Sequence, residues 1–274
     1  MKTVKEIIAQ KSRHERITML TAYDYPIASF LDEAGIDIIL VGDSLANVVL
    51  GLESTTEVGM KEMLHHTRAV VRAVKNALVI GDMPFDSYQL NPRAAVDNAR
   101  QFIEEGCQAV KLEWFEGCPE VASAIVKAGI AVMGHVGLTP QTAQKQGGMK
   151  VQGKDAASAQ TIIKNAKIMQ DSGCFSVVLE CIPQEVAQVI TGKLKIPTIG
   201  IGAGPHCDGQ VLVIHDVLGL FSRYHPKFSK KYADLGPQIL QAVKQYKKEV
   251  TSGQFPDDAH SFHLSQDEIK KLIA

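Results

Sequence analysis

The sequence predicts an α/β chain closed into a (β/α)8 barrel, the TIM-barrel architecture. Three observations predict it. Short apolar, β-branched runs recur eight times; segments with helical periodicity and their own start and stop residues lie between several of them; and the 274 residues match the roughly 250 usual for eight βα units. The runs are apolar almost throughout instead of alternating, as expected of a parallel sheet whose outer face is covered by helices. A doubly wound open sheet is the rival. It would carry G-x-G-x-x-G at the first βα junction, where none occurs, and "GIGAG" at 200–204 follows the seventh run without a helix opening behind it. No low-complexity linker or break in composition divides the chain, so residues 1–274 are read as one barrel domain with 251–274 as its tail.

In order, the strand candidates are "ITMLTAYD" from 17, "IDIILVGDS" from 36, "ALVIGDMP" from 77, "CQAVKLEW" from 107, "IAVMGHVG" from 130, "CFSVVLEC" from 174, "IPTIGIGAG" from 196 and "VLVIHDVLG" from 211. Before the third, Met60, Met63, Leu64, Val70, Val71 and Val74 line one face of a helix. Before the fourth, Asn91 suits an N-cap, Pro92 the first helical position and Gly106 the stop, with Val96, Ala99, Phe102 and Ile103 as the apolar stripe. Before the sixth, Asp155 caps a helix whose Ile162, Ile163, Ala166 and Met169 face inward and which Gly173 ends. In the tail, "SQDEIKKLIA" reads as a short final helix capped at Ser265, after an extended stretch rich in Gly, Pro and Asp.

Composition narrows the function. At 45% hydrophobic, 22% charged and a net charge of −1, with basic and acidic residues interspersed, no basic stripe exists to neutralise a phosphate backbone. Nucleic acid is therefore not an expected partner; small molecules are. No secretory pattern or membrane-length apolar run is visible, which predicts a soluble, cytoplasmic protein. Cys107, Cys118, Cys174, Cys181 and Cys207 form an odd set without a CxxC pair, expected to be reduced packing residues.

Chemistry in a barrel collects where strands end. Asp24, Asp43, Ser44, Asp82, Lys111, Glu113, His135 and Glu180 all sit at such ends. Each has a bland explanation as a cap, a turn former or half of an ion pair, but their coincidence on one rim is harder to explain that way. Lys111 and Glu113 share one face of their strand, because side chains alternate with period two, and a buried charged pair costs stability unless compensated. Carboxylates from separate strands suit a hard divalent cation, magnesium or manganese. Lys111 then suits the carboxylate of an anionic substrate. His65 and His66 are adjacent, not spaced i, i+4, and are read as packing or surface residues. His135 is set apart by its strand end as a candidate for substrate contact, and Cys181 is read as packing.

Taken in order, "LTAYDYP", "VGDSL", "HHTRAVVRA", "GDMPF", "VKLE", "MGHVGLTPQ", "GGMKVQGK", "LECIP", "IPTIGIGAG", "DGQVLVIHD" and "SFH" resemble the ketopantoate hydroxymethyltransferase family over about residues 3–263. The resemblance implies a barrel of the phosphoenolpyruvate/pyruvate superfamily, assembled as a homo-oligomer, usually a decamer. It implies transfer of a hydroxymethyl group from 5,10-methylenetetrahydrofolate to 3-methyl-2-oxobutanoate, forming 2-dehydropantoate and tetrahydrofolate in pantothenate biosynthesis, with Mg2+ as the metal. Carried over residue by residue, the family's metal ligands fall on Asp43 and Asp82 with Glu113 completing the metal environment. Its substrate contacts fall on Asp43, Ser44, Asp82 and Lys111, and its proton acceptor on Glu180. The chain departs from the common family pattern at Ala46 and Asn47, which bears on loop shape and folate contacts.

Two alternatives stay open at the level of sequence. One is a magnesium-dependent 2-oxo-acid lyase of the same superfamily, although "KQGGMKVQGK" lacks the cysteine such enzymes use. The other is a barrel that binds a 2-oxo acid without turning it over.

Overall fold

Eight parallel strands close on themselves in sequence order in the computed structural model, which describes residues 1–146, 148, 150–221 and 226–274. The chain runs α1 (Val4–Ser12), β1 (Ile17–Thr21), α2 (Tyr25–Glu33), β2 (Ile38–Val41), α3 (Leu45–Val48), α4 (Met60–Ala73), β3 (Leu78–Asp82), α5 (Pro92–Glu104), β4 (Ala109–Glu113) and α6 (Cys118–Lys127). It continues through β5 (Ala131–Gly137), α7 (Ala156–Asp171), β6 (Ser176–Glu180), α8 (Gln184–Lys193), β7 (Thr198–Ile201), β8 (Gly209–Leu212), α9 (Ile214–Leu218), α10 (Leu235–Thr251) and α11 (Gln266–Ile273). β1 closes the ring by pairing with β2 on one side and β8 on the other.

The strand period sorts side chains into two layers. Outward residues such as Val79, Val110, Leu112, Val132 and Val177 meet the helices, and Gly81 lets α5 press close, since a Cβ there would lie 2.3 Å from the Phe102 ring. Inward residues such as Met19, Ile38, Ile80, Met133 and Ile199 fill the barrel, and Ile7 of α1 plugs its N-terminal end. The expected caps are present. Asn91 Oδ1 accepts from Ala94 N at 2.9 Å, Asp155 Oδ1 accepts from Ala157 N and Ser158 N at 3.0 Å, and Ser265 Oγ accepts from Glu268 N at 3.4 Å.

The last strand is shorter and earlier than "VLVIHDVLG" suggests: β8 ends at Leu212 and α9 takes Ile214 onward, stopped by Gly219 at φ +66°. A short apolar run reads equally as strand or buried helix, and here the helix wins. Nor does the sequence reading assign the helix at 235–251. None of its residues is buried, and Ile239, Leu240, Val243, Tyr246 and Val250 are exposed. No helix among the described residues is long and apolar enough to cross a membrane.

Candidate active site

The C-terminal ends of the strands surround a cavity of about 740 Å³. Asp43, Ser44, Asp82, Lys111, Glu113, His135 and Glu180 all line it. Asp24, the remaining strand-end residue, does not; it caps α2 by accepting from Ile27 N at 2.9 Å. His66 Nδ1 lies 2.7 Å from Tyr23 O, which fastens α4 to the end of β1, and His65 is exposed. All five cysteines are free thiols, and burial pushes Cys181 Sγ up to about 12. That makes it a poor nucleophile.

The alternation of β4 turns Lys111 and Glu113 into the barrel. Lys111 Nζ lies 2.8 Å from Asp82 Oδ1, the residue opposite it in register on β3. Asp82 Oδ2 accepts from the backbone N–H of Asp43 at 3.1 Å. Glu113 stands opposite His135 in register, with His135 Nδ1 3.5 Å from Glu113 Oε1 and Nε2 3.2 Å from Glu180 Oε2. Ser44 Oγ is 2.8 Å from the Tyr23 hydroxyl. At β5's end, Gly137 has φ +98° and a Cβ there would lie 2.3 Å from Glu180 O, so only glycine lets β6 bring Glu180 this close. Cys181, the next residue, holds the uncommon φ of +47° and is tied at both ends, its N–H to Ile201 O and its carbonyl from Gln152 N, each at 2.9 Å.

Gln141, to which the sequence reading gave no role, joins two of these carboxylates. It lies in the 3-10 turn Pro140–Gln146 after β5. Its side-chain Nε2 donates to Asp43 Oδ2 at 2.9 Å and to Met83 O at 3.1 Å, and its backbone N–H donates to Glu113 Oε2 at 3.0 Å. The Tyr88 hydroxyl donates to Gln141 Oε1 at 2.5 Å and accepts from Glu113 N at 3.3 Å. Only the "TPQ" of a family motif pointed here.

Burial sets the electrostatics. It pushes the Asp43 carboxyl above its usual range, and the Glu113 carboxylate pushes the same way. Burial raises Asp82 to about 7 despite the Lys111 ammonium beside it. Burial alone would discharge Lys111, but Asp82, Glu113 and Asp43 reverse this and hold it protonated. Burial likewise opposes charge on His135, whose contacts with Glu113 and Glu180 outweigh it and raise the imidazole to about 9. Asp82 Oδ1 and His135 Nε2 are buried without an aligned hydrogen bond. Hard oxygen donors that burial makes reluctant to ionise fit a divalent cation, which supplies further positive charge. Among the described residues, however, no three His, Cys, Asp or Glu side chains already close around a metal position.

Comparison with known proteins decides the lineage. The sequence model of the family described as ketopantoate hydroxymethyltransferase matches residues 1–258. The chain belongs to the ketopantoate hydroxymethyltransferase family. It is 56% identical over 261 residues to the 3-methyl-2-oxobutanoate hydroxymethyltransferase of Syntrophus aciditrophicus, covering 95% of this chain and 96% of that one. It is 55% identical over 271 residues to the enzyme of the same name from Syntrophobacter fumaroxidans, covering 98% and 96%. In fold it resembles a phosphonopyruvate hydrolase crystallised with oxalate and Mg2+, with a TM-score of 0.63 at 13% identity, covering 100% of this chain and 98% of that one. Family membership thus sides with the transferase over the lyase. In the family motif "GGMKVQGK", Gly147 and Met149 lie outside the described residues.

Proposed function

We infer that the protein is a 3-methyl-2-oxobutanoate hydroxymethyltransferase. It moves a hydroxymethyl group from 5,10-methylenetetrahydrofolate to 3-methyl-2-oxobutanoate, giving 2-dehydropantoate and tetrahydrofolate for pantothenate synthesis. The observation that carries this is the gathering, in a member of this family, of two buried aspartates, one ammonium and a strand-end glutamate around one cavity.

Lys111, buried and charged, attracts the anionic substrate. Ser44, oriented by Tyr23, and the aspartates Asp43 and Asp82 contact the 2-oxo acid end. A magnesium ion held by Asp43 and Asp82, with Glu113 completing its surroundings, would act as a Lewis acid toward the 2-oxo group and contribute several kcal/mol. Glu180 accepts the C3 proton: the C3–H bond breaks, the proton passes to the carboxylate, and the electron pair enters the C2–C3 bond as an enolate. That pair then forms the new bond to the methylene carbon of the folate as one of its two carbon–nitrogen bonds breaks. Water displaces the other nitrogen and supplies the hydroxyl oxygen, and the C3 proton and one water proton end on those two nitrogens of tetrahydrofolate. His135, between Glu113 and Glu180, holds the base at the cavity wall.

The test is product formation. Purified protein with 3-methyl-2-oxobutanoate, methylenetetrahydrofolate and Mg2+ yields 2-dehydropantoate; a folate-independent reaction, or none, contradicts the assignment. A non-catalytic binder would give no product under any of these conditions.

We read residues 1–274 as one domain, with 251–274 as its tail. We take its partners to be small molecules, without nucleic acid or membrane, in keeping with the interspersed basic and acidic residues of the sequence. The free thiols support a cytoplasmic location. A homo-oligomer, a decamer in the family's pattern, is supported by the uncovered apolar stripe of α10.

A further inference from the structure

The cavity is divided by polarity. Asp43, Asp82, Lys111, Glu113 and His135 occupy the arc that β2 to β5 present. Four apolar residues, Leu40 of β2, Val178 of β6, Ile201 of β7 and Val211 of β8, also line the cavity, with Thr21 of β1 and Asp216 of α9 as polar groups on that side. The four apolar residues are 6%, 3%, 9% and 5% exposed and belong to the packed barrel interior.

Glu180 sits on the seam between the two halves. It shares the inward face of β6 with Val178, two residues earlier, and is opposite Ile201 of β7 in register. On its other side His135 Nε2 lies 3.2 Å away. A small 2-oxo acid has the same division: carboxylate and ketone oxygens at one end, alkyl carbons at the other. With its oxygens on the polar arc, its alkyl end points over β6 to β8, and the carbon next to the ketone passes the seam.

We propose that Val178, Ile201, Val211 and Leu40 form the side-chain specificity pocket for the 2-oxo acid. They select a short branched alkyl group and deliver its tertiary C–H to Glu180. This rests on the function proposed above. A second carboxylate at C4 or C5 of the substrate would lie against this wall without a partner, so dicarboxylic 2-oxo acids are rejected. Losing or adding a methyl group changes only packing and is discriminated more weakly.

The test compares C3 deuterium exchange of 3-methyl-2-oxobutanoate and 3-methyl-2-oxopentanoate, without folate, in the wild-type protein and in Val178→Ala and Ile201→Ala. One methylene in such a pocket is worth roughly 10–200-fold. The ratio of kcat/KM for the larger over the smaller acid should therefore rise at least about tenfold in each variant. Thermal unfolding checks that each variant is folded; should either fail to fold, Ile201→Val should move the ratio the same way by a smaller factor. An unchanged ratio in folded variants, with wild-type exchange intact, overturns the pocket and leaves the proposed function standing. Wild-type protein that exchanges no branched 2-oxo acid overturns both.

Discussion

A single amide, Gln141, reaches Asp43 through its side chain and Glu113 through its backbone, while Tyr88 fixes its oxygen. Truncation leaves Asp43 without its donor and Tyr88 without its acceptor, both in buried surroundings. Gln141→Ala should therefore lower kcat/KM for the 2-oxo acid by about 10–100-fold, as outer partners of metal-binding carboxylates do. Magnesium affinity, measured by calorimetry, should weaken alongside; unchanged affinity would reduce Gln141 to a packing residue. Cys181 makes a different claim. Its φ of +47° is a conformation that a side chain resists and glycine does not. Cys181→Gly should raise stability by up to about 1 kcal/mol in denaturant titration, and a loss would mean that the buried thiol packs for more than the backbone costs.

At the scale of elements, Asp32 near the end of α2 ties that helix to the approach of β3. Its carboxylate accepts from the N–H groups of Lys75, Asn76 and Ala77 at 3.0, 2.9 and 2.8 Å, and from the Asn76 amide at 3.0 Å. Burial works against its ionisation, but these donors prevail and hold it below the ordinary value of 3.8. A lowered folded-state value means that the contribution is full above the unfolded value and is lost as pH falls through the folded one. Asp32→Asn should cost about 2 kcal/mol at pH 7, with the gap to wild type closing below about pH 4. A gap that persists at low pH would assign the cost to shape and not to charge. The same scale shows what the sequence made legible. Asn91, Pro92 and Gly106 mark α5 by local rules, and the alternation in β4 foretells that Lys111 and Glu113 face the cavity. Gln141 was not legible, because its role depends on a turn bringing it to residues 98 and 28 positions away. The end of β8 was lost in an apolar run that suits either element, and α10 buries nothing within its own chain, so its stripe had no barrel face to explain it.

At the scale of the molecule, α10 displays Ile239, Val243, Tyr246 and Val250 at helical spacing, each at least 44% exposed. Such a stripe on a 17-residue helix is unstable in water without a partner. Ile239→Lys with Val243→Glu should shift the light-scattering mass from an oligomer toward a single chain; an unaltered mass would place the interface elsewhere. The central claim concerns the barrel mouth, where acidic groups from separate strands let a keto acid lose a proton to Glu180. It is tested most directly by deuterium exchange at C3 of 3-methyl-2-oxobutanoate, followed by NMR without folate, with Mg2+ or with chelator, in wild type and Glu180→Gln. Exchange that needs Mg2+ and vanishes in Glu180→Gln is the predicted result; exchange undiminished by the chelator or by the substitution would contradict it.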